Sequence, residues 1–66
     1  MYIDREVFED VMDKHGYGIT ETASKMDITR SYLWKILNHK QKAGSKFTAG
    51  LIKAFPNDRL ESFFLR

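Results

Sequence analysis

Apolar residues recur at helical spacing in five places along the chain, and each run is fenced by residues that start or stop a helix. In the first, Val7, Phe8, Val11 and Met12 form one stripe; Asp4 is placed to cap a helix running to about His15, and Ile3 and Phe8 stand at the two positions of a hydrophobic staple. Gly16-Tyr17-Gly18 then supplies a stop, since glycine accepts backbone angles that other residues avoid. Thr20 is placed to cap a second helix with Ala23 and Met26 on one face and Ile19 packing inward ahead of it. After Asp27 and Ile28, Thr29 is a cap for a third helix, in which Leu33, Ile36 and Leu37 fall at i, i+3 and i+4. The polar run HKQKAGSK leads to a fourth helix capped by Ser45, with Phe47, Leu51, Ile52 and Phe55 as its apolar residues and Pro56 ending it. Asp58 with Glu61 resembles a capping box for a fifth helix carrying Leu60, Phe63, Phe64 and Leu65. The pattern predicts an all-α, compact five-helix domain over residues 1–66.

The third helix decides the functional reading. Each residue turns by about 100°, so with Leu33, Ile36 and Leu37 inward, Ser31, Lys35 and Asn38 point away from the core and Trp34 lies beside them. A helix anchored by three aliphatic side chains and presenting Arg, Ser, Trp, Lys and Asn outward suits a DNA groove, because such side chains reach base edges and phosphates. Arg30, Ser31, Trp34 and Lys35 are the candidate base readers. Thr20, Thr29, Tyr32, Asn38, Lys40, Lys42 and Lys46 are the candidate backbone contacts, the last three being lysines on a loop, where a flexible charge meets phosphate. Trp34 has two readings: its indole covers a core edge, or it lies against a thymine methyl or a sugar. Tyr17 is either a lid on the core or a phosphate contact.

Residues 19–38, ITETASKMDITRSYLWKILN, resemble the helix-turn-helix of the Cro/CI-type family, also called the XRE or lambda-repressor-like family. Ala23 falls where that family has a small residue at a close helix crossing, Ile28 just after its turn, and Leu33 and Ile36 at two core positions of its recognition helix. The chain departs from the pattern at Asp27, where glycine is usual, although Asp tolerates a left-handed backbone better than most residues. It departs again at Asn38-His39-Lys40, where Asn-Gly-Lys is common. The resemblance covers roughly residues 5–64. It implies a lambda-repressor-like fold and a sequence-specific transcriptional regulator, commonly a repressor of phage, mobile-element or stress genes that occludes a promoter as a dimer.

Charge strengthens that picture through its distribution. The 66 residues carry a net charge of only +2. Residues 1–27, however, hold Arg5, Lys14 and Lys25 against Asp4, Glu6, Glu9, Asp10, Asp13, Glu21 and Asp27, whereas residues 28–53 hold Arg30, Lys35, Lys40, Lys42, Lys46 and Lys53 with no acid. A basic block beginning at the recognition helix is the footprint of a polyanion partner; a lysine-rich solvated surface is the plainer alternative. Hydrophobic residues make up 42% of the chain and aromatics 14%, which places it among folded domains rather than disordered segments.

Other chemistries find little support. There is no cysteine, so disulfides and thiolate metal sites are excluded, in keeping with a reducing, cytoplasmic setting. The opening MYIDREVFED is acidic where a secretory signal would be basic and then apolar, and no apolar run reaches the length of a membrane span. His15 and His39 lack a serine, cysteine or carboxylate at a diagnostic spacing, and no glycine-rich phosphate loop, cofactor motif or metal-ligand spacing occurs. The expectation is a non-enzyme whose partner is double-stranded DNA, bound at a palindromic operator by a homodimer that meets through Leu60, Phe63, Phe64 and Leu65. Two rivals keep the same fold. One is a protein-interaction module, an antirepressor or adaptor in which Tyr32 and Trp34 anchor the partner; the other is the antitoxin of a toxin-antitoxin pair.

Overall fold

Asp4 opens the first helix through its side chain, which accepts a hydrogen bond from the Val7 amide at 3.3 Å. In the computed structural model, which describes residues 2–65, this helix, α1, runs Arg5–His15 and ends on Gly16 at φ +73°. It is followed by α2 (Ile19–Met26), α3 (Arg30–Leu37) and α4 (Ser45–Ala54), then by a single 3-10 turn over Leu60–Phe63. The described chain is therefore all-α with four α-helices. No described helix is long and apolar enough to cross a membrane.

The core is built on four phenylalanines from different parts of the sequence. Phe8 of α1 meets Phe47 and Phe55 at 6.0 Å and Phe63 at 5.8 Å between ring centroids, and Phe55 meets Phe63 at 5.8 Å. Around them lie Ile3, Met12, Ala23, Met26, Ile28, Leu33, Ile36, Leu37 and Leu51, all buried. Thr22 is the buried polar side chain among the described residues, and its hydroxyl donates to the Gly18 carbonyl at 2.8 Å, so its burial leaves no unmet donor.

The fifth helix does not form. Residues 58–65 could make only about two turns, a length at which the cost of nucleating an α-helix is not recovered unless tertiary contacts supply it. Here the contacts favour another shape. The carboxylate of Asp58, expected as a cap, is taken by Lys14 at 3.1 Å and His15 at 3.3 Å. Phe64 is extended, at φ −108° and ψ 143°, and forms an antiparallel bridge with Ile3. The Asp4 amide donates to the Phe63 carbonyl at 2.7 Å and the Leu65 amide to the Tyr2 carbonyl at 3.0 Å. The two ends of the chain are thereby zipped together. Phe63 is 1% exposed and Leu60 and Phe64 pack partly on the core, which removes Phe63 from the expected dimer surface and leaves Leu65 outward.

Two caps also differ from expectation. Gly18, not Thr20, precedes α2, and Gly44, not Ser45, precedes α4; both are extended, and neither has a side chain with which to cap. Thr22 and Thr48, four residues on, each donate a hydroxyl back to the glycine carbonyl, while the first-turn amides of α2 and α4 receive no side-chain cap. Ile52 points outward at 57% exposure, because α4 packs through Phe47, Gly50, Leu51 and Phe55. Gly50 explains that choice of face. A β-carbon there would stand 2.8 Å from the Met26 carbonyl oxygen and 3.0 Å from the Met26 β-carbon, so α4 crosses α2 with almost no space between them. The tightest point of this crossing is therefore Gly50 against Met26.

Candidate nucleic-acid interface

Residues 27–29 set the position of α3 relative to α2. Asp27 takes a left-handed conformation, φ 59° and ψ 41°, and its amide donates to Ser24 while that of Ile28 donates to Ala23, which closes the end of α2. Thr29, extended, then caps α3 by accepting from the Tyr32 amide at 3.1 Å. Leu33, Ile36 and Leu37 sink into the core at 4% exposure or less. That leaves no freedom in which face α3 turns outward. Arg30, Ser31, Trp34 and Lys35 are all exposed, Trp34 to 52%. Its indole therefore stands free of the core rather than covering its edge.

These four residues and Ile19 line one open cleft of about 340 Å³. Ile19, expected simply to pack inward, is half-buried: it touches the core and also forms a wall of this cleft. Ile19 is the first residue of α2, at the end away from the turn, and nothing local in the sequence marks it, because its place in the cleft depends on α3 packing beside it. Ile19 and Trp34 give the cleft its apolar lining, and Arg30 and Lys35 its cations. Among the described residues, Arg30, Lys35, Lys40 and Lys42 have no acidic partner within ion-pair distance.

The remaining candidates are arranged less uniformly. Thr20 is exposed in the first turn of α2 with its hydroxyl unused as a cap. Lys40 and Lys42 are exposed on the loop after α3. Lys46 lies in the first turn of α4 with its ammonium 5.8 Å from the Tyr32 ring centre, and Tyr32 itself packs on the core against Phe47. Tyr17 is a core lid, stacked on His15 and set beside Phe55, with the Lys25 ammonium 4.9 Å from its centre.

Asn38 is committed to holding the helix end. Its amide donates to the Trp34 carbonyl at 2.8 Å and its oxygen accepts from Arg5 at 3.0 Å. Next to it His39 is left-handed at φ 58°, in the place where Asn-Gly-Lys would supply a glycine. A histidine in that region is uncommon and needs compensation. Its ring bonds the Ile3 carbonyl at 2.9 Å and lies 5.3 Å from the Tyr2 ring. The end of α3 is thus pinned to residues 2–5 by Asn38 and His39 together. Arg5, Asn38 and His39 were not legible as a group in the sequence, because 33 or more residues separate the partners.

Over 51 residues the chain is 45% identical to the virulence-associated protein A of Dichelobacter nodosus, a match covering 77% of this chain and 49% of that protein. The chain spans about half the length of the curated relative it matches. No family model matches it. No solved structure matches it.

Proposed function

We propose that the chain is a sequence-specific double-stranded-DNA-binding regulator of transcription, in which α2 and α3 act as a Cro/CI-type helix-turn-helix and α3 enters the major groove. The observation that carries this reading is the outward face of α3, where Arg30 and Lys35 stand exposed and unneutralised beside Ser31 and Trp34 while the opposite face is locked in the core. A guanidinium or ammonium held there meets guanine acceptors, and a small serine lets the helix come close. Lys40 and Lys42, with Lys46 and the hydroxyls of Thr20 and Thr29, supply the phosphate contacts that fix orientation without reading sequence. Asn38 donates one amide hydrogen to the Trp34 carbonyl and accepts from Arg5, which leaves its second amide hydrogen for a phosphate.

One α3 reaches only a few base pairs, so useful affinity calls for two copies on a palindromic site, and repression by promoter occlusion follows from such a complex. Leu65 and Tyr2, exposed at the zipped chain ends, replace the buried Phe63 in the candidate interface between copies. The half-exposed Trp34 over an apolar wall also favours, second, a protein partner anchored on the same cleft. Selection of bound sequences from random duplex DNA separates the two. Enrichment of a palindrome supports a dimeric DNA reader; absence of any enriched sequence, with binding that does not fall as salt rises, removes it in favour of the protein partner.

A further inference from the structure

We infer that the wall formed by Ile19 and Trp34 is a slot for the 5-methyl group of thymine, so that the preferred DNA site carries a thymine read by shape within two or three base pairs of the positions met by Arg30 and Lys35. The inference rests on the DNA-reading function proposed above and deepens it. The cleft is walled by two large apolar side chains from different helices, the half-buried Ile19 and the half-exposed Trp34, and flanked by Arg30, Ser31 and Lys35. Its occupant must therefore offer an apolar group within a strongly anionic surrounding, since neither cation has an acidic partner among the described residues. In the major groove the thymine methyl is the apolar group that the base pairs display.

The spacing agrees. Arg30 and Lys35 are five residues apart, about 7.5 Å along a helix axis at about 1.5 Å per residue, and line the same cleft, so both reach bases within a few steps of it, at about 3.4 Å each. Trp34 lies between them in sequence and on the same face. Rigidity adds to the case: Asn38 holds the Trp34 carbonyl at 2.8 Å, and α3 is fixed on its other side by Leu33 and Ile36, both fully buried, so the indole is carried on backbone that does not swing.

The test alters the DNA and leaves the protein intact. In a duplex recovered by selection, each thymine is replaced singly by uracil, which removes the methyl and keeps every hydrogen-bonding group, and affinity is measured for the unaltered protein and for Trp34→Ala. The expected result is one position per half-site at which uracil weakens binding by about fourfold, the effect of one buried methyl, and at which Trp34→Ala no longer distinguishes the two bases. Uracil tolerated at every position overturns the slot while leaving sequence-specific binding in place. An undiminished thymine preference in Trp34→Ala overturns it too, by assigning the methyl to another residue. Failure to enrich any duplex is a separate result, which removes the DNA-reading function and the slot with it. Because Trp34 is half-exposed, its truncation leaves the core filled, and an unchanged melting temperature verifies that.

Discussion

Two sets of basic side chains on this small domain have opposite settings. Arg5, Lys14, Lys53 and Arg59 each face a carboxylate, at 3.3 Å from Glu9, 3.1 Å from Asp58, 3.7 Å from Asp27 and 2.7 Å from Glu61. Arg30, Lys35, Lys40 and Lys42, on α3 and the loop that follows, face none among the described residues. Residue type does not separate the sets; surroundings do. Exposed ion pairs contribute little to stability, typically about 0 to 1 kcal/mol, so the first set is mainly a local tether. The second set keeps its charge available to neutralise phosphates and release the cations condensed on a polyanion. The comparison teaches that carboxylates from several parts of the chain neutralise Arg5, Lys14, Lys53 and Arg59, whereas none reaches the bases of α3 and the loop after it.

That comparison can be broken most severely by disturbing the support of α3. Leu33→Ala truncates a fully buried anchor and is expected to cost roughly 2 to 5 kcal/mol in chemical denaturation. For a domain of this size that is much of its stability, so lost DNA binding in this variant reports unfolding rather than contacts. An unaltered melting curve would mean that the outward face of α3 has been misassigned.

Next in size is Gly50→Ala. Its new β-carbon would stand 2.8 Å from a backbone oxygen of Met26, so α2 and α4 must separate, and overpacking of this kind costs about 1 to 3 kcal/mol. The usual gain in helix propensity from alanine, about 1 kcal/mol, opposes this without reversing it. A variant more stable than the parent would show that the crossing relaxes freely.

Asp58 gives the smallest effect and carries a pH signature. The hydrogen bond from Lys14, joined by that from His15 and opposed by desolvation, holds its carboxyl below the usual carboxylate range. A depressed native value means that the unfolded chain binds the proton first: the contribution is complete above the unfolded value of about 4 and disappears as pH falls through the lower native value. Asp58→Asn should therefore lower stability slightly at neutral pH and leave it unchanged relative to the parent in strong acid. An equal deficit at both pH values would show a packing role instead.

Much of this architecture is legible in the sequence where one short segment contains all the information. The Asp4 cap, the end of α1 at Gly16, the left-handed Asp27, the Thr29 cap and the buried stripe Leu33, Ile36 and Leu37 all depend on neighbours within a few residues. Legibility fails where distant segments compete for the same groups. Asp58 has the spacing of a helix cap, yet Lys14 and His15, more than 40 residues away, take its carboxylate, and Phe64 pairs with Ile3 instead of continuing a helix. In the candidate interface the exposed positions of Arg30, Ser31 and Lys35 followed from helical geometry, whereas Trp34, whose direction on the helix is intermediate, had two readings that its exposure decides. The engagement of Asn38 by Arg5 and the wall contributed by Ile19 did not follow from it, because each needs a second element brought beside α3.

The central claim, that the unpartnered bases form a DNA-binding face and the partnered ones do not, is tested most directly by salt titration of duplex binding with Lys42→Ala, Arg30→Ala and Lys14→Ala. Loss of a phosphate contact in Lys42→Ala should flatten the log-log slope by about 0.9 on operator and random duplexes alike. Loss of a base contact in Arg30→Ala should cost about 1 to 3 kcal/mol on the operator and relax preference at one position. Lys14→Ala should leave slope and preference as they are. Equal changes in Lys14→Ala and Lys42→Ala, or an Arg30→Ala variant that binds operator and random duplex with undiminished selectivity, would contradict the account.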